Sequence, residues 1–264
     1  MITVKENTNQ VCYIEIDRPD KKNALTKSSI EKLIDFFRTS ANSSDFNVLV
    51  LSGSKGFFSA GADLTWMKQG MHQTEEKNQS DAQLFNKLYH EMFIYPKPII
   101  AKVERGAYGG AIGLMACADV VITSPNAKFR FSETALGLIP ATVAPYIMRK
   151  IGSGNTRYLL VSGNQFDGID ALGYGLAHLL VPVKELETIT RQTAEQMATL
   201  GPTAVAKTKE LLNYLDQNTF SVSNETKDYC ATLIAAARKS EESKERVNTF
   251  FNRNISKRND RKHS

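Results

Sequence analysis

The chain repeatedly places a short run of apolar residues ahead of a segment with helical spacing. Val48-Leu49-Val50-Leu51, Ile99-Ile100-Ala101-Lys102-Val103 and Asp119-Val120-Val121-Ile122-Thr123 read as strands, as does Val11 to Ile16, which ends in the turn-forming Arg18-Pro19-Asp20. Between them, Ser28 to Phe37 repeats apolar residues at Ile30, Leu33, Ile34 and Phe37, and Asp81 to Phe93 is also helical. A Gly-rich turn at Gly106 to Gly110 leads into a helix that runs to about Cys117. Short apolar strands separated by helices indicate an α/β fold with largely parallel strands, because strands buried on both faces lose the alternation of surface sheets. After Pro140 the pattern becomes helix upon helix, through Ala144 to Ile151, Thr156 to Val161, Gly168 to Gly173, Val183 to Leu200, Pro202 to Leu215 and Ser223 to Arg238. The expected organisation is a core over 1–195, a helical region over 196–252 and a basic tail over 253–264.

The apolar stretches are far shorter than the roughly 20 residues of a membrane-spanning helix. Met1-Ile2-Thr3-Val4-Lys5 has neither a secretion signal nor an organelle presequence pattern. Cys12, Cys117 and Cys230 form no C-x-x-C pair, which indicates neither a disulfide framework nor a thiolate metal site and suits a reducing cytoplasm. His72, His90, His178 and His263 show no metal-ligand spacing, so no metal is expected. Of the net charge of +5, Arg253, Lys257, Arg258, Arg261 and Lys262 against Asp260 place +4 in the last twelve residues. The body is therefore nearly neutral, and the tail reads as a solvated basic segment rather than a nucleic-acid-binding arm.

Two turns concentrate small residues after strands: Ser59-Ala60-Gly61-Ala62-Asp63 beyond Val48 to Ser52, and Tyr108-Gly109-Gly110 beyond Ile99 to Val103. Small side chains leave backbone N–H groups approachable. Side by side, the turns would aim one N–H each at a single oxygen and form an oxyanion hole; tight turns with close helix packing are the equally weighted alternative. Gly106 to Gly113 contains no G-x-G-x-x-G register, and neither a P-loop nor a G-x-S-x-G elbow occurs.

Four ordered segments carry a family resemblance: Arg18-Pro19-x-x-Lys22-Asn23-Ala24-Leu25, Phe58-Ser59-Ala60-Gly61-Ala62-Asp63-Leu64, Gly106-Ala107-Tyr108-Gly109-Gly110 and Glu133-x-x-x-Gly137-Leu138-Ile139-Pro140. Together they resemble the crotonase, or enoyl-CoA hydratase/isomerase, superfamily. The resemblance implies a spiral of ββα units with a C-terminal helical trimerisation region, and a homotrimer or dimer of trimers. It implies an oxyanion hole from the N–H groups of Ala62 and Gly110, with Glu133 as the acid/base. Lys22, Ala24, Ala60, Asp63, Leu64, Tyr108, Gly109 and Pro140 would line the substrate, whose coenzyme A is part of the reactant and not a prosthetic group. Phe250 and Arg253 match positions through which a neighbouring subunit closes the coenzyme site.

The departures bear on the reaction. Two-glutamate hydratases carry a second carboxylate three residues after the oxyanion-hole glycine, where this chain has Gly113. Glycine there, with Ser132-Glu133 and Gly137-Leu138-Ile139-Pro140-Ala141, resembles the methylglutaconyl-CoA and isohexenylglutaconyl-CoA hydratases of leucine and acyclic terpene breakdown. Hydration of a 2-enoyl-CoA, branched or glutaconyl-type, is the leading expectation. Double-bond isomerisation by a single glutamate is the enzymatic alternative, and a non-catalytic acyl-CoA or RNA-binding homologue the alternative of another class.

Overall fold

The computed structural model describes residues 2–217 and 223–260, in two compact units, Met1–Thr199 and Leu200–Ser264. In chain order the first unit contains strands β1 (Ile2–Thr8), β2 (Val11–Ile16), β3 (Val48–Gly53), β4 (Phe57–Ser59), β5 (Ile99–Val103), β6 (Gly106–Tyr108), β7 (Val120–Thr123), β8 (Lys128–Arg130), β9 (Gln165–Asp167) and β10 (Leu179–Leu180). Its helices are α1 (Lys27–Ser40), α2 (Leu64–Gly70), α3 (Glu75–Phe93), α4 (Gly110–Cys117), α5 (Ala144–Ser162), α6 (Gly168–Gly173) and α7 (Val183–Ala198). The second unit holds α8 (Pro202–Gln217), α9 (Asn224–Lys239) and α10 (Glu241–Asp260).

The strands form two sheets, ordered β1-β2-β3-β5-β7-β10 and β4-β6-β8-β9. In the large sheet β2, β3, β5, β7 and β10 run parallel, and β1 pairs antiparallel with β2 at the edge. In the small sheet β4, β6 and β8 run parallel, and β9 returns antiparallel to β8. The parallel expectation thus holds for the interior of both sheets and gives way at their edges. Strand β1 lacks a clear sequence signal because it mixes Lys5, Glu6 and Asn7 with its apolar residues, as an edge strand tolerates.

Both faces of the large sheet are buried, which explains its unbroken apolar runs. Side chains alternate along a strand. Leu49, Leu51, Ile14, Ile16, Ile99 and Val103 join one core with Ile30, Leu33, Ile34 and Phe37 of α1, Leu88 and Met92 of α3 and Leu114 of α4. Val48, Val50, Val11, Ile100 and Ile122 point the other way, against Leu186, Ala194 and Ala198 of α7. Each fully buried Leu or Ile contributes on the order of 1.5–3 kcal/mol relative to exposure.

Helix α1 starts where Thr26 and Ser29 cap each other's N–H groups in a capping box. Helix α5 is a single element broken at Gly152, whose φ of 75° is non-helical; this explains why its sequence reads as two segments. Within the second unit, the Glu242 carboxylate accepts from the N–H groups of Thr203 and Ala204 at 3.1 Å each, serving donors that the first turn of α8 leaves open. Phe250 and Arg253 fall on α10, but their side chains lie outside the described residues.

A β–β–helix order recurs. Each of β3, β5 and β7 in the large sheet is followed closely by β4, β6 and β8 in the small one, and then by helix. The two small-residue turns therefore follow the short strands β4 and β6, not the large-sheet strands read from sequence. Since β4, β6 and β8 are parallel neighbours, the segments leaving their C-terminal ends are brought to one place.

Candidate active site

Three segments leave those strand ends: Ala60 to Asp63 after β4, Gly109-Gly110 after β6, and Ser132-Glu133 after β8. The first is held by its neighbour in the chain's opening turn. Ala60 N–H donates to Lys22 O at 2.9 Å, Leu25 N–H to Gly61 O at 2.7 Å, and Asp63 N–H to Leu25 O at 2.9 Å. In this parallel bridge of Leu25 with Ala62, the flanking Gly61 C=O and Asp63 N–H are both used. The Ala62 N–H is left on the opposite edge, and no acceptor among the described residues takes it.

Asn23 anchors the same turn from beneath. It is fully buried; its Oδ1 accepts from Arg18 N–H at 2.8 Å and from Ser54 Oγ at 3.0 Å, while its amide donates to Ser54 O at 2.9 Å and Phe57 O at 2.5 Å. Asp63 is buried too, and its carboxylate is fully committed. It accepts from Arg18 Nη1 at 2.5 Å and from the N–H groups of Thr65 and Trp66 at 2.8 and 3.1 Å, capping α2. Burial alone would raise its pKa, but the Arg18 guanidinium and these amides outweigh that and hold it below the usual carboxylate range.

The second turn abuts the first. Gly61 has φ +79°, and a Cβ on it would meet Tyr108 O at 2.6 Å and Gly110 N at 3.2 Å. Gly109 adopts φ 51° and ψ −130°, a conformation essentially reserved for glycine. Gly110 opens α4, so its N–H has no intrahelical acceptor, and among the described residues it takes none elsewhere. The apolar helix behind it adds the positive end of its dipole.

Glu133 closes the arrangement. A Cβ on Gly109 would lie 3.1 Å from Glu133 Oε1, and Glu133 Oε2 is buried without a hydrogen-bond partner among the described residues. Burial pushes the carboxyl above its usual range, against the opposing pull of its own and the Ser132 backbone N–H. A cavity of about 150 Å³ is lined by Ala60, Ala62, Leu64, Gly109, Gly110, Glu133 and Pro140. A second cavity of about 490 Å³ shares Ala62, Met67 and Phe85 with it and continues past Trp66, Met71, Ala82 and Leu138.

The structure thus brings together seven of the residues singled out from sequence. Lys22, Ala24, Asp63 and Tyr108 frame the turns without lining that cavity. Lys22 is exposed, with Nζ 5.6 Å from the Phe57 ring centroid. Tyr108 packs edge-on against Phe57. Phe85, Tyr89 and Met67 line the cavity but went unread. Phe85 and Tyr89 stand four residues apart on α3, a spacing that by itself signals only a packed helical face. Among the described residues no cluster of His, Cys, Asp or Glu is arranged for a metal ion, and no helix is long and apolar enough to cross a membrane.

A fold of ββα units, in which two residues whose N–H groups no described acceptor takes line one cavity with a carboxylate, defines an enzyme-like polar site at the strand ends. Residues 6–257 match the enoyl-CoA hydratase/isomerase family, and the chain belongs to that family. It is 31% identical over 205 residues to carnitinyl-CoA dehydratase of Proteus mirabilis, covering 76% of each chain. It is 28% identical over 216 residues to the short-chain-enoyl-CoA hydratase of Clostridium acetobutylicum, covering 80% of each. The crystal structure of an enoyl-CoA hydratase from Shewanella pealeana superposes with a TM-score of 0.88 at 31% identity, over 96% of this chain and 92% of that one.

Proposed function

We propose that the protein adds water across the Cα=Cβ bond of a 2-enoyl-CoA thioester. The observation that carries this reading is the convergence of the Ala62 N–H, the Gly110 N–H and the Glu133 carboxylate on one cavity. The thioester oxygen sits between the two N–H groups, which bind it more strongly as it gains enolate charge; one such donor contributes roughly 3–4 kcal/mol to lowering a barrier. As the water oxygen bonds to Cβ, Glu133 takes a water proton and the π electrons move onto the thioester. The enolate then collapses as Glu133 returns that proton to Cα. Desolvation of Glu133 suits both steps, because it makes the carboxylate a better base and brings its pKa nearer that of a proton shuttle at neutral pH.

The larger cavity receives the acyl chain in this reading. Its wall of Trp66, Met67, Met71, Ala82 and Phe85 supports a hydrocarbon tail. Asp81 in that wall is paired with Lys27 and Lys77 at 3.8 and 3.7 Å and accepts from Trp66 Nε1 at 2.8 Å, so its charge is compensated and a plain, a branched and a glutaconyl-type chain all stay within this reading. In this reading Ala60, Leu64 and Pro140 flank the thioester end, and the exposed Lys22 ammonium pairs with a coenzyme phosphate. Assembly into a trimer or dimer of trimers, with Phe250 and Arg253 completing the coenzyme site, belongs to the same reading. Light scattering on the purified chain tests that part.

Enzyme assays with a straight-chain 2-enoyl-CoA, a branched one and 3-methylglutaconyl-CoA test the rest. Loss of the conjugated thioester with gain of one water is expected for at least one of them. Glu133→Gln should lower kcat by about 10²–10⁴-fold, and full activity in that variant sinks the assignment. One observation favours isomerisation as a second reading: the space beside Gly113 is filled by Tyr89 and Val143, so the site has one carboxylate where two-glutamate hydratases have two. A 3-enoyl-CoA that becomes conjugated without taking up water identifies that activity.

A further inference from the structure

Glycine recurs at Gly110 and Gly113, one turn apart on α4, and α3 uses the gap. A Cβ on Gly113 would lie 2.7 Å from Tyr89 Cε1 and Cζ, and a Cβ on Gly110 would lie 2.9 Å from Tyr89 Oη and 3.1 Å from Phe85 Cε1. The Tyr89 ring is therefore wedged against a face of α4 that has no side chains. It is fully buried and is held from its other sides by Phe85 and Tyr146, at centroid distances of 5.9 and 5.3 Å. Its hydroxyl donates to Gly110 O at 2.7 Å. Burial raises the phenol well above its usual pKa, and the nearby Cys117 and Glu133 add to the effect, so the donor proton stays in place.

We propose that Tyr89 is a positioning residue for the Gly110 N–H. Gly110 lies between Gly109, whose backbone only glycine adopts with ease, and a helix whose face here carries no Cβ atoms. Backbone bonds hold the Gly109 side of the donor, Gly109 N–H to Arg130 O and Ile112 N–H to Gly109 O at 2.9 Å each; the Gly110 side needs a restraint of its own, because oxyanion donors lose their effect once misdirected. The wedge sets the distance of α4 from α3, and the hydroxyl holds the Gly110–Ala111 peptide plane, which adjoins the Gly109–Gly110 plane that carries the N–H and whose carbonyl accepts from Ile112 N–H. The same ring, with Val143, occupies the room a side chain at residue 113 would need, so glycine at 113 and this restraint are one structural feature. The inference rests on Gly110 being an oxyanion donor, which hydration and isomerisation share.

The test is Tyr89→Phe, which removes the hydroxyl and keeps the wedge, with Tyr89→Met as a second variant that keeps bulk without a ring. Turnover of a 2-enoyl-CoA and solvent-deuterium exchange at Cα of the matching saturated acyl-CoA are measured on each folded protein. Both reactions pass through the enolate. The expected result for Tyr89→Phe is a common loss of about tenfold in kcat and in exchange rate, with KM within about twofold. A larger common loss is expected for Tyr89→Met. Unchanged kcat and exchange in a folded Tyr89→Phe, with only a lowered melting temperature, overturns the inference and leaves a purely structural tyrosine. A wild-type protein inactive in both assays overturns the enolate reading itself and this inference with it.

Discussion

Gly109 and Glu133 face each other so closely that a methyl group on the glycine would stand 3.1 Å from the carboxylate oxygen Oε1. Glycine is required there twice over, by backbone conformation and by the carboxylate it must admit. Gly109→Ala should cost about 1–3 kcal/mol from the strained backbone, and it should also displace Glu133. A fall in kcat of at least tenfold, greater than any change in KM, is expected in steady-state assays; unchanged kcat would mean that Glu133 does not act from this position.

The burial of Glu133 makes a pH prediction with a definite sign. Its folded pKa lies above the unfolded value, so between the two the native state holds the extra proton. Stability therefore falls as pH rises through that window and stays lower above it. Glu133→Gln removes the cost. The variant should be more resistant to urea than wild type at pH 7 to 8, with the gain vanishing below about pH 4. Equal gains at both pH values would show that the effect is not ionisation.

Gly113→Ala places a methyl 2.7 Å from both the Tyr89 ring and Val143 Cγ2. Overpacking of this kind costs about 1–3 kcal/mol. The expected outcome is a lower denaturation midpoint with an unchanged m-value. A neutral result would mean that α3 and α4 separate more easily than their packing indicates.

Asn23→Ala removes a buried side chain that serves four groups, and it does so at a left-handed residue with φ 57°. The open donors and acceptors and the backbone strain together predict a loss of about 2–4 kcal/mol. Chemical denaturation measures it. A loss in activity beyond the unfolded fraction is also expected, because the Asn23 contacts hold the turn that presents Ala62.

Much of the frame was legible in the chain. Unbroken apolar runs such as Val48 to Leu51 announce strands covered on both faces, and the spacing of Ile30, Leu33, Ile34 and Phe37 announces the helix that covers one of them. The polar residues of β1 hid an edge strand. The three-residue strands β4, β6 and β8 escaped because so short a run has no period to detect. Asp63, placed along the coenzyme by the family likeness, has its carboxylate engaged by Arg18 and the α2 cap, since a buried carboxylate needs partners.

The family resemblance singled out Ala62, Gly110 and Glu133 and the absent companion at 113; the sequence by itself determined the alternation of strand and helix and the two turns whose small residues leave backbone N–H groups approachable. Local pattern and residue chemistry suffice for these. Only the tertiary structure decided that the three groups meet, because they are separated by 48 and 23 residues and converge through the side-by-side pairing of β4, β6 and β8. It also decided what stands at Gly113: a tyrosine 24 residues earlier in the chain, brought there by helix packing that no local pattern encodes.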